Sequence, residues 1–270
     1  MMIQTDLHLH SSFSTDSVAS MKSMIEKAIK TGLKWITFTE HQDFDYPSAL
    51  GVELFQLDKV AYREHFETMR EQYQDKIELL FGVEVGLEPR HAERINAFLG
   101  GEPFDLVIGS SHLVQGKDPH NPGYFDELSD EEGYEAYFRT LVDNTAAIKT
   151  YDVYGHLDYV VRYGRTRDER YNPMDYRDIF ETALRRIIAD GKGVEINMAG
   201  IARGLKFPNP HPELIKLYRQ LGGEIITIGS DAHTSRRIGL NFELAREILI
   251  EAGFKYYAYY KQRQPVFLTL

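Results

Sequence analysis

Histidine and acidic side chains recur in this sequence at spacings that would let them bind metal ions together. His8 and His10 are separated by one residue, and Asp16 follows them. Alternate side chains of an extended strand point to the same face, so His8 and His10 can reach one ion from adjacent positions. One such pair is weak evidence by itself, because two histidines near a chain end are more often half-buried or exposed residues without a ligand role.

Further residues of these types stand at or near the ends of other apolar segments. His41 ends WITFTEH, Glu84 lies in LLFGVEV, His112 ends LVIGSSH, His156 lies in DVYGH, and Asp231 and His233 end IITIGSDAH. A hydrogen-bonded core histidine explains any one of these positions equally well, but it does not explain the set. The candidate ligands are therefore His8, His10, Asp16, His41, Glu84, His112, His156, Asp231 and His233.

These ligands are more than one metal ion needs. An ion with an open catalytic position uses about three protein ligands, so the set suits two or three ions. A carboxylate can bridge two ions through its two oxygens, and Glu84 is our candidate because it comes from a segment between the histidine-bearing ones. The chain has no cysteine, so the ligands are nitrogen and oxygen atoms, which fit zinc, manganese or iron.

Short strands that alternate with helices are needed to bring these residues together. The strand-like segments are MIQTDLHLH, KWITFTEH, IELLFGVEVG, FDLVIGSSH, YDVYGHLD, KGVEIN and GEIITIGSDAH. Helical periodicity is clearest at about 20–31, 56–75, 130–149, 174–190, 211–221 and 240–252, and Gly32, Gly191, Gly222 and Gly253 follow four of these patterns as helix stops. Strands and helices in this alternation predict a β/α barrel, in which the carboxyl ends of the strands meet at one rim. The alternative is a doubly wound open sheet, but no glycine-rich phosphate loop follows the first strand.

Length and composition limit the remaining possibilities. We expect one domain, 1–270, because 270 residues suffice for a barrel and no linker-like stretch divides them. The net charge of −10 disfavours nucleic-acid binding, and no signal segment or membrane-length apolar run is present, so we expect a cytoplasmic protein with no nucleic-acid or membrane partner. Residues 254–270 alternate in polarity and predict a last strand or an edge that faces a partner. Assembly into a homo-oligomer is a further possibility.

Taken together, the motifs DLHLH with Asp16 after it, TEH, GVEV, SSH, GHLD and GSDAH resemble the polymerase and histidinol phosphatase (PHP) family of metal-dependent phosphoesterases. The resemblance spans almost the whole chain. Within the family, YGHLDYVVRYG (154–164), VEINMAGIARG (194–204) and GSDAHTSRRIG (229–239) are most similar to the histidinol-phosphate phosphatases of histidine biosynthesis. The resemblance implies an α/β fold, namely a distorted (β/α)7 barrel. It also implies an enzyme that hydrolyses L-histidinol phosphate, a small phosphate ester, to L-histidinol and phosphate.

The resemblance also implies how a trinuclear centre would divide the ligands. One ion would take His8, His10, Glu84 and Asp231, a second Glu84, His112 and His156, and a third Asp16, His41 and His233. Some members of the wider family have histidine in place of Asp16, which changes the charge around the third ion. Phosphate monoester hydrolysis needs a strong nucleophile, and we expect a metal-bridging hydroxide. Glu84, Asp231 and His233 are the expected catalytic residues, with Asp231 positioning the nucleophile and His233 or a metal-bound water protonating the leaving alkoxide.

Arginines on the predicted rim are the candidates for binding the phosphate, because the guanidinium group pairs well with phosphate oxygens. Arg162 and Arg203 lie within the resembling segments, and Arg236 and Arg237 are weaker candidates. A second group, Glu53, Asp43 and Asn197, is a candidate for binding the amino or imidazole group of the substrate.

Three alternative hypotheses about the function make different predictions. A PHP-type phosphatase or nuclease would act on nucleotides or other small phosphate esters. An amidohydrolase would cleave C–N bonds, but such enzymes commonly bridge their metals with a carboxylated lysine, and no lysine ends a candidate strand here. A protein that only binds metal or ligand would lack phosphatase activity when fully metallated.

Overall fold

Seven parallel strands form one sheet whose spatial order is the same as their order along the chain. The computed structural model describes residues 2–48 and 53–270. The strands are β1 (Thr5–Leu9), β2 (Trp35–Gln42), β3 (Glu78–Gly86), β4 (Leu106–Ser110), β5 (Val153–Tyr154), β6 (Gly193–Asn197) and β7 (Ile226–Gly229). Each corresponds to one of the predicted segments.

The first and last strands meet just beyond the end of β7 and nearly close the barrel. The His10 N–H donates to the Ala232 carbonyl at 3.1 Å, and the Ala232 N–H donates to the His8 carbonyl at 3.4 Å. A doubly wound open sheet would not bring its first and last strands together in this way. The fold is therefore a single α/β domain with a nearly closed seven-stranded parallel barrel, as predicted.

Helices connect the strands and cover the outside of the barrel. They are α1 (Met21–Lys30), α2 (Lys59–Tyr73), α3 (Ala92–Leu99), α4 (Asp130–Ala147), α5 (Arg177–Ala189), α6 (Ala199–Ala202), α7 (Pro212–Gln220) and α8 (Phe242–Glu251). The sequence predicted all of these except α3 and α6, which are short. None of the helices in the described part of the chain combines the length and the apolar character needed to cross a lipid bilayer.

Local signals in the sequence explain where several helices begin and end. The Ser129 side chain accepts from the Glu132 N–H while the Glu132 side chain accepts from the Ser129 N–H, which forms a capping box at the start of α4. Four helices are followed by glycines in the left-handed region, namely Gly32, Gly191, Gly222 and Gly253. The helices bury one face against the sheet, as α2 does with Tyr62 and Phe66 packed on Phe81.

The carboxyl-terminal segment folds as a hairpin of two antiparallel strands, β8 (Tyr256–Lys261) and β9 (Gln264–Thr269), and not as one further strand. The hairpin covers the end of the barrel opposite to the ligands. The Gln262 N–H donates to Asp105 Oδ1 at 2.9 Å, Arg263 pairs with Asp152, and Tyr260 packs among the apolar side chains inside the barrel. The hairpin therefore closes this end of the barrel interior, and the ligand-bearing rim lies at the other end.

Candidate active site

Glu84 lies at the centre of the group of side chains that the strands bring to the rim. Its carboxylate is fully buried, and its two oxygens face different histidines. Oε2 lies 3.1 Å from His8 Nε2 and 3.0 Å from His41 Nδ1, whereas Oε1 lies 3.2 Å from His112 Nε2 and 2.9 Å from His156 Nε2. A carboxylate that bridges two ions needs this arrangement, with each oxygen directed to a separate set of ligands.

Asp231 completes the part of the site around His8 and His10. Potential ligand atoms of His8, His10 and Glu84 lie within 4.8 Å of one another, and Asp231 Oδ1 is 3.5 Å from His10 Nε2 and 3.9 Å from His8 Nε2. Asp231 is the second residue after β7 and has a φ of 52°, which is uncommon for a residue with a Cβ. This left-handed backbone turns the carboxylate back over the barrel, where it faces the histidines of β1.

Two further groups occupy the remainder of the rim. Glu84, His112 and His156 again offer atoms within 4.8 Å of one another. The other group contains His41 and His233, and Asp16 Oδ2 lies 2.9 Å from His233 Nε2 and 3.8 Å from His41 Nε2. The structure thus brings all nine predicted ligands into one cluster, which we call the ligand cluster.

The grouping differs from the predicted division in two details. His10 lies as close to His41 and His233 as it does to His8, because its ring stacks on those of His41 and His233 at 4.1 and 4.3 Å. Asp43, which we predicted as a substrate-binding residue, forms a fourth possible ligand group with His41 and His112.

Hydrogen bonds from outside the cluster orient several of the histidine rings. His8 Nδ1 lies 2.7 Å from Glu195 Oε1, and His112 Nδ1 lies 2.8 Å from Asp43 Oδ1. These contacts leave the Nε2 atoms of both rings directed at Glu84. A carboxylate on the far nitrogen of a metal-binding histidine fixes its tautomer and increases its basicity. Our sequence analysis missed Glu195, although it stands near the end of β6, as the ligands do in their strands.

A second buried carboxylate that the sequence analysis missed holds the loop after β1. Glu40 accepts from the Ser11 N–H and hydroxyl and from the Ser14 hydroxyl. The Ser14 oxygen in turn lies 3.2 Å from His10 Nδ1 and accepts from the His41 N–H at 3.1 Å. The serines beside the ligands therefore have structural roles.

The chemistry of this donor set fits divalent metal ions. Three buried ring nitrogens, His10 Nε2, His41 Nδ1 and His233 Nε2, lie close to carboxylates but have no hydrogen-bond partner in the described ranges. Carboxylates and imidazoles enclosed this closely require either protons or cations between them. Nitrogen and oxygen ligands at these positions point to divalent metal ions.

Electrostatic effects within the cluster favour the ionised carboxylates that such ions need. Burial acts to raise the pKa of Glu84, but the facing rings of His8, His41 and His112 outweigh this effect and hold the pKa well below its usual value. Burial likewise acts to raise the pKa of Asp231, and His8 with other nearby cations holds it below its usual range. Both carboxylates therefore favour the ionised form.

A pocket opens directly over the ligand cluster. Its lining contains members of the cluster together with the rings of Tyr46, Phe55, Tyr159 and Tyr163 and the buried carboxylate of Asp118. None of these five residues was singled out from the sequence, although Tyr159 and Tyr163 lie within the resembling segment 154–164. The pocket can therefore hold a molecule whose two ends differ in character.

The predicted substrate-binding residues are distributed unequally around this pocket. Arg162, Arg203 and Asp43 line it, whereas Arg236, Arg237, Glu53 and Asn197 do not. Arg162 is almost fully buried, and its guanidinium group donates to Asn209 Oδ1 at 2.8 Å, to Asn197 Oδ1 at 3.0 Å and to Asp231 Oδ2 at 3.3 Å. Asn197 thus lies beneath the site, and Arg162 also orients Asp231. Glu53 and Arg236 are exposed.

A parallel β/α barrel with clustered histidine and carboxylate side chains at its rim defines a metal-dependent hydrolase. The profile of the PHP domain matches residues 6–199. The chain belongs to the PHP family.

Comparisons with individual proteins extend this likeness over nearly the full chain. A histidinol-phosphatase of Lactococcus lactis is 32% identical over 254 residues, which cover 94% of this chain and 93% of that protein. A relative named probable histidinol-phosphatase from Clostridium acetobutylicum is 33% identical, with 93% and 94% covered. The crystal structure of the Lactococcus lactis histidinol phosphate phosphatase in complex with zinc, L-histidinol and phosphate superimposes with a TM-score of 0.89, covering 97% of this chain and 98% of that chain at 30% identity.

Proposed function

We propose that this protein is a histidinol-phosphate phosphatase, which hydrolyses L-histidinol phosphate to L-histidinol and phosphate. The observation that carries the proposal is the pocket in which the Glu84-centred ligand cluster faces Arg162 and Arg203. The similarity to the Lactococcus lactis enzyme, whose structure holds L-histidinol and phosphate, supports the choice of substrate. A phosphomonoesterase needs positive charge around the phosphoryl group and room for the alcohol. Arg162, Arg203 and the ions that the ligand cluster would hold supply the charge, and the rest of the pocket gives the room.

The ligand cluster has the capacity for two to three ions, which we propose to be zinc, manganese or iron. His8, His10, Glu84 and Asp231 would hold the first ion, Glu84, His112 and His156 the second, and Asp16, His41 and His233 the third. When bound, such ions lower the pKa of water and neutralise charge on phosphoryl oxygens.

The side chains around the cluster have separate tasks in this proposal. Arg203 lines the mouth of the pocket and pairs with phosphate oxygens, as its guanidinium group allows. Arg162 holds Asp231 at 3.3 Å, so Asp231 keeps a fixed orientation in which it accepts a hydrogen bond from the attacking water. With two ions bound, His233 has no ligand role, and its imidazole in the pocket lining protonates the leaving alkoxide. No covalent intermediate with the protein is required.

The test is phosphate release from L-histidinol phosphate beside a panel of nucleotide and sugar monophosphates, with the metals of the sample quantified. We expect a strong preference for L-histidinol phosphate and two to three metals per chain. A metallated protein that hydrolyses only nucleotides or other phosphates would support the phosphoesterase chemistry and contradict the proposed substrate. A fully metallated protein without any phosphatase activity would overturn the enzyme assignment.

Two predictions from the sequence accompany this proposal. The cytoplasmic location fits an enzyme of amino-acid biosynthesis, and cell fractionation tests it. Assembly into a homo-oligomer stays open, and light scattering of the metallated protein decides it.

A further inference from the structure

Asp118 is a buried carboxylate that lines the pocket outside the ligand cluster. Its side chain belongs to the pocket lining, and the residue is only 4% exposed. Asp118 is not a member of any of the ligand groups at the rim. The function proposed above assigns it no task, so a charged group held out of water at this position needs another explanation.

The loop that carries Asp118 holds it firmly. Val114 and Lys117 exchange two backbone hydrogen bonds across a tight turn, at 2.8 and 3.0 Å. The Asp118 carbonyl accepts from the Asn121 N–H at 2.9 Å, and Asp118 Oδ1 accepts from the His120 N–H at 2.7 Å. The carboxylate is therefore placed before any ligand arrives, which lowers the entropic cost of binding to it.

Neutral donors hold both oxygens of this carboxylate. The Tyr46 hydroxyl donates to Asp118 Oδ2 at 2.5 Å, and the Tyr159 hydroxyl donates to Oδ1 at 3.4 Å. In the ranges 2–48 and 53–270, no lysine, arginine or histidine side chain forms an ion pair with Asp118. The other pocket carboxylates differ in this respect, because Asp43, Glu84 and Asp231 all face histidine or arginine side chains.

We propose that Asp118 is the specificity-determining residue that binds the primary ammonium group of the substrate. A buried carboxylate without a cationic neighbour gains most from a ligand that brings the missing positive charge. An ammonium group carries that charge at neutral pH, whereas a neutral imidazole does not. The inference rests on the proposed function and names the ammonium group as the part of the substrate that Asp118 recognises.

The contacts of Tyr159 agree with this assignment. Its ring lies 5.1 Å from that of His156 in the ligand cluster, and its hydroxyl reaches Asp118. An ester with its phosphoryl group over the ligand cluster can therefore extend along Tyr159 and place an amino group near Asp118. The adjacent rings of Tyr163 and His120, 5.2 Å apart, offer a surface on which an imidazole can stack.

The experiment compares two substrates that differ only in the ammonium group, L-histidinol phosphate and 3-(imidazol-4-yl)propyl phosphate. The measured quantity is the ratio of their kcat/KM values, determined with the metallated full-length protein. We expect a wild-type ratio of about 10 to 100 in favour of L-histidinol phosphate, and Asp118→Asn to bring that ratio close to 1, since a hydrogen bond to a charged group is lost.

Matched variants separate recognition from structural damage. Asp126→Asn removes a carboxylate from the same segment, but Asp126 is exposed and lies outside the pocket lining, so the ratio should stay at the wild-type value. Asp118→Ser also removes the charge and fills less space, so the conclusion does not depend on the folding of one variant. Metal content and melting temperature are measured for each protein.

The outcomes distinguish this inference from the proposed function. A wild-type ratio near 1, or a ratio that both Asp118 variants leave unchanged, overturns the role of Asp118 while turnover of L-histidinol phosphate still supports the function. A loss of the same size on both substrates assigns Asp118 to folding or to the imidazole and also overturns the inference. A wild-type protein that hydrolyses other phosphates but neither of these two overturns the proposed function and the inference together.

Discussion

His8 Nδ1 lies 2.7 Å from Glu195 Oε1, so a residue of the first strand is oriented by a carboxylate 187 positions later in the chain. Removing the charge from Glu195 weakens this contact and leaves the His8 ring free to change its tautomer. We expect Glu195→Gln to lower metal affinity by about 10- to 100-fold, as is usual for a carboxylate behind a ligand histidine. Metal titrations followed by phosphatase activity measure the effect, and excess metal should restore much of the activity.

The matched control for Glu195 is Glu213, a glutamate exposed at the start of α7. Glu213→Gln should leave the metal titration curve unchanged. If Glu195→Gln has the same curve as the wild type, the contact between Glu195 and His8 plays no part in metal binding.

Glu84 is the residue whose loss should affect the site most. Its two oxygens face four histidines, so Glu84→Gln removes the charge from both sides of the bridge. We expect activity to fall by more than about 100-fold and at least one metal to be lost, because a ligand contributes more than the groups behind it. Activity and elemental analysis test this, and circular dichroism should show an intact fold. Full activity with full metal content would rule out the bridging role.

Gly229, in β7, leaves the space that Glu195 and His8 occupy. A Cβ at this position would lie 2.2 Å from Glu195 Oε1 and 2.5 Å from His8 Cβ. We expect Gly229→Ala to lower the free energy of unfolding by about 1–3 kcal/mol through overpacking and to reduce metal content. Gly123→Ala is the control, because the nearest atom to a Cβ at this position would be 3.8 Å away. Its free energy of unfolding and metal content should stay close to those of the wild type.

The barrel and the ligand cluster could be predicted because they depend on local patterns. Strand alternation places His8 and His10 on one strand, and parallel strands gather their carboxyl ends at one rim. Glu195 also stands near the carboxyl end of a parallel strand, so the same rule places it at the rim, although it was not among the predicted site residues. The pairing of Asp43 with His112 could not be predicted, because it depends on the distance between two loops that are far apart in the sequence.

Two other features lack a local signal in the sequence. The turn of the carboxyl-terminal hairpin places Gln262 and Arg263 at φ values of 50° and 65°, a conformation for which asparagine and glycine are the usual residues. The alternation of 254–270 therefore predicted a strand, and nothing indicated the turn within it. Asp118 likewise stands in a loop without a motif, and its burial follows only from the surrounding tyrosines.

Arg203 is the arginine at the mouth of the pocket that we expect to bind the phosphate group. Arg203→Ala should raise the KM for L-histidinol phosphate by roughly 10- to 100-fold, because a charge-assisted hydrogen bond is lost, and should leave metal content unchanged. Arg236→Ala is the matched control, since Arg236 is exposed and outside the pocket lining. Unchanged kinetics in Arg203→Ala would show that Arg203 does not bind the phosphate group.

Asp130 should make the stability of the loop after β5 depend on pH. It accepts from the Thr166 N–H at 2.6 Å, the Thr166 hydroxyl at 2.7 Å and the Arg165 N–H at 2.9 Å. Burial acts to raise the pKa of Asp130, but these hydrogen bonds and Arg165 outweigh it and lower the pKa. Since the folded state favours the ionised form, this stabilisation is complete above the pKa of the unfolded chain and is lost as the pH falls through the folded pKa.

We therefore expect Asp130→Asn to destabilise the protein by about 1–2 kcal/mol at pH 7 and by progressively less as the pH falls below about 4. Denaturant unfolding of metal-free wild type and variant across this range measures the difference, and removing the metals keeps their own pH dependence out of the comparison. Asp126→Asn is the control, because Asp126 is exposed. A difference between wild type and Asp130→Asn that stays constant from pH 7 to pH 3 would show that the loop does not depend on the charge of Asp130.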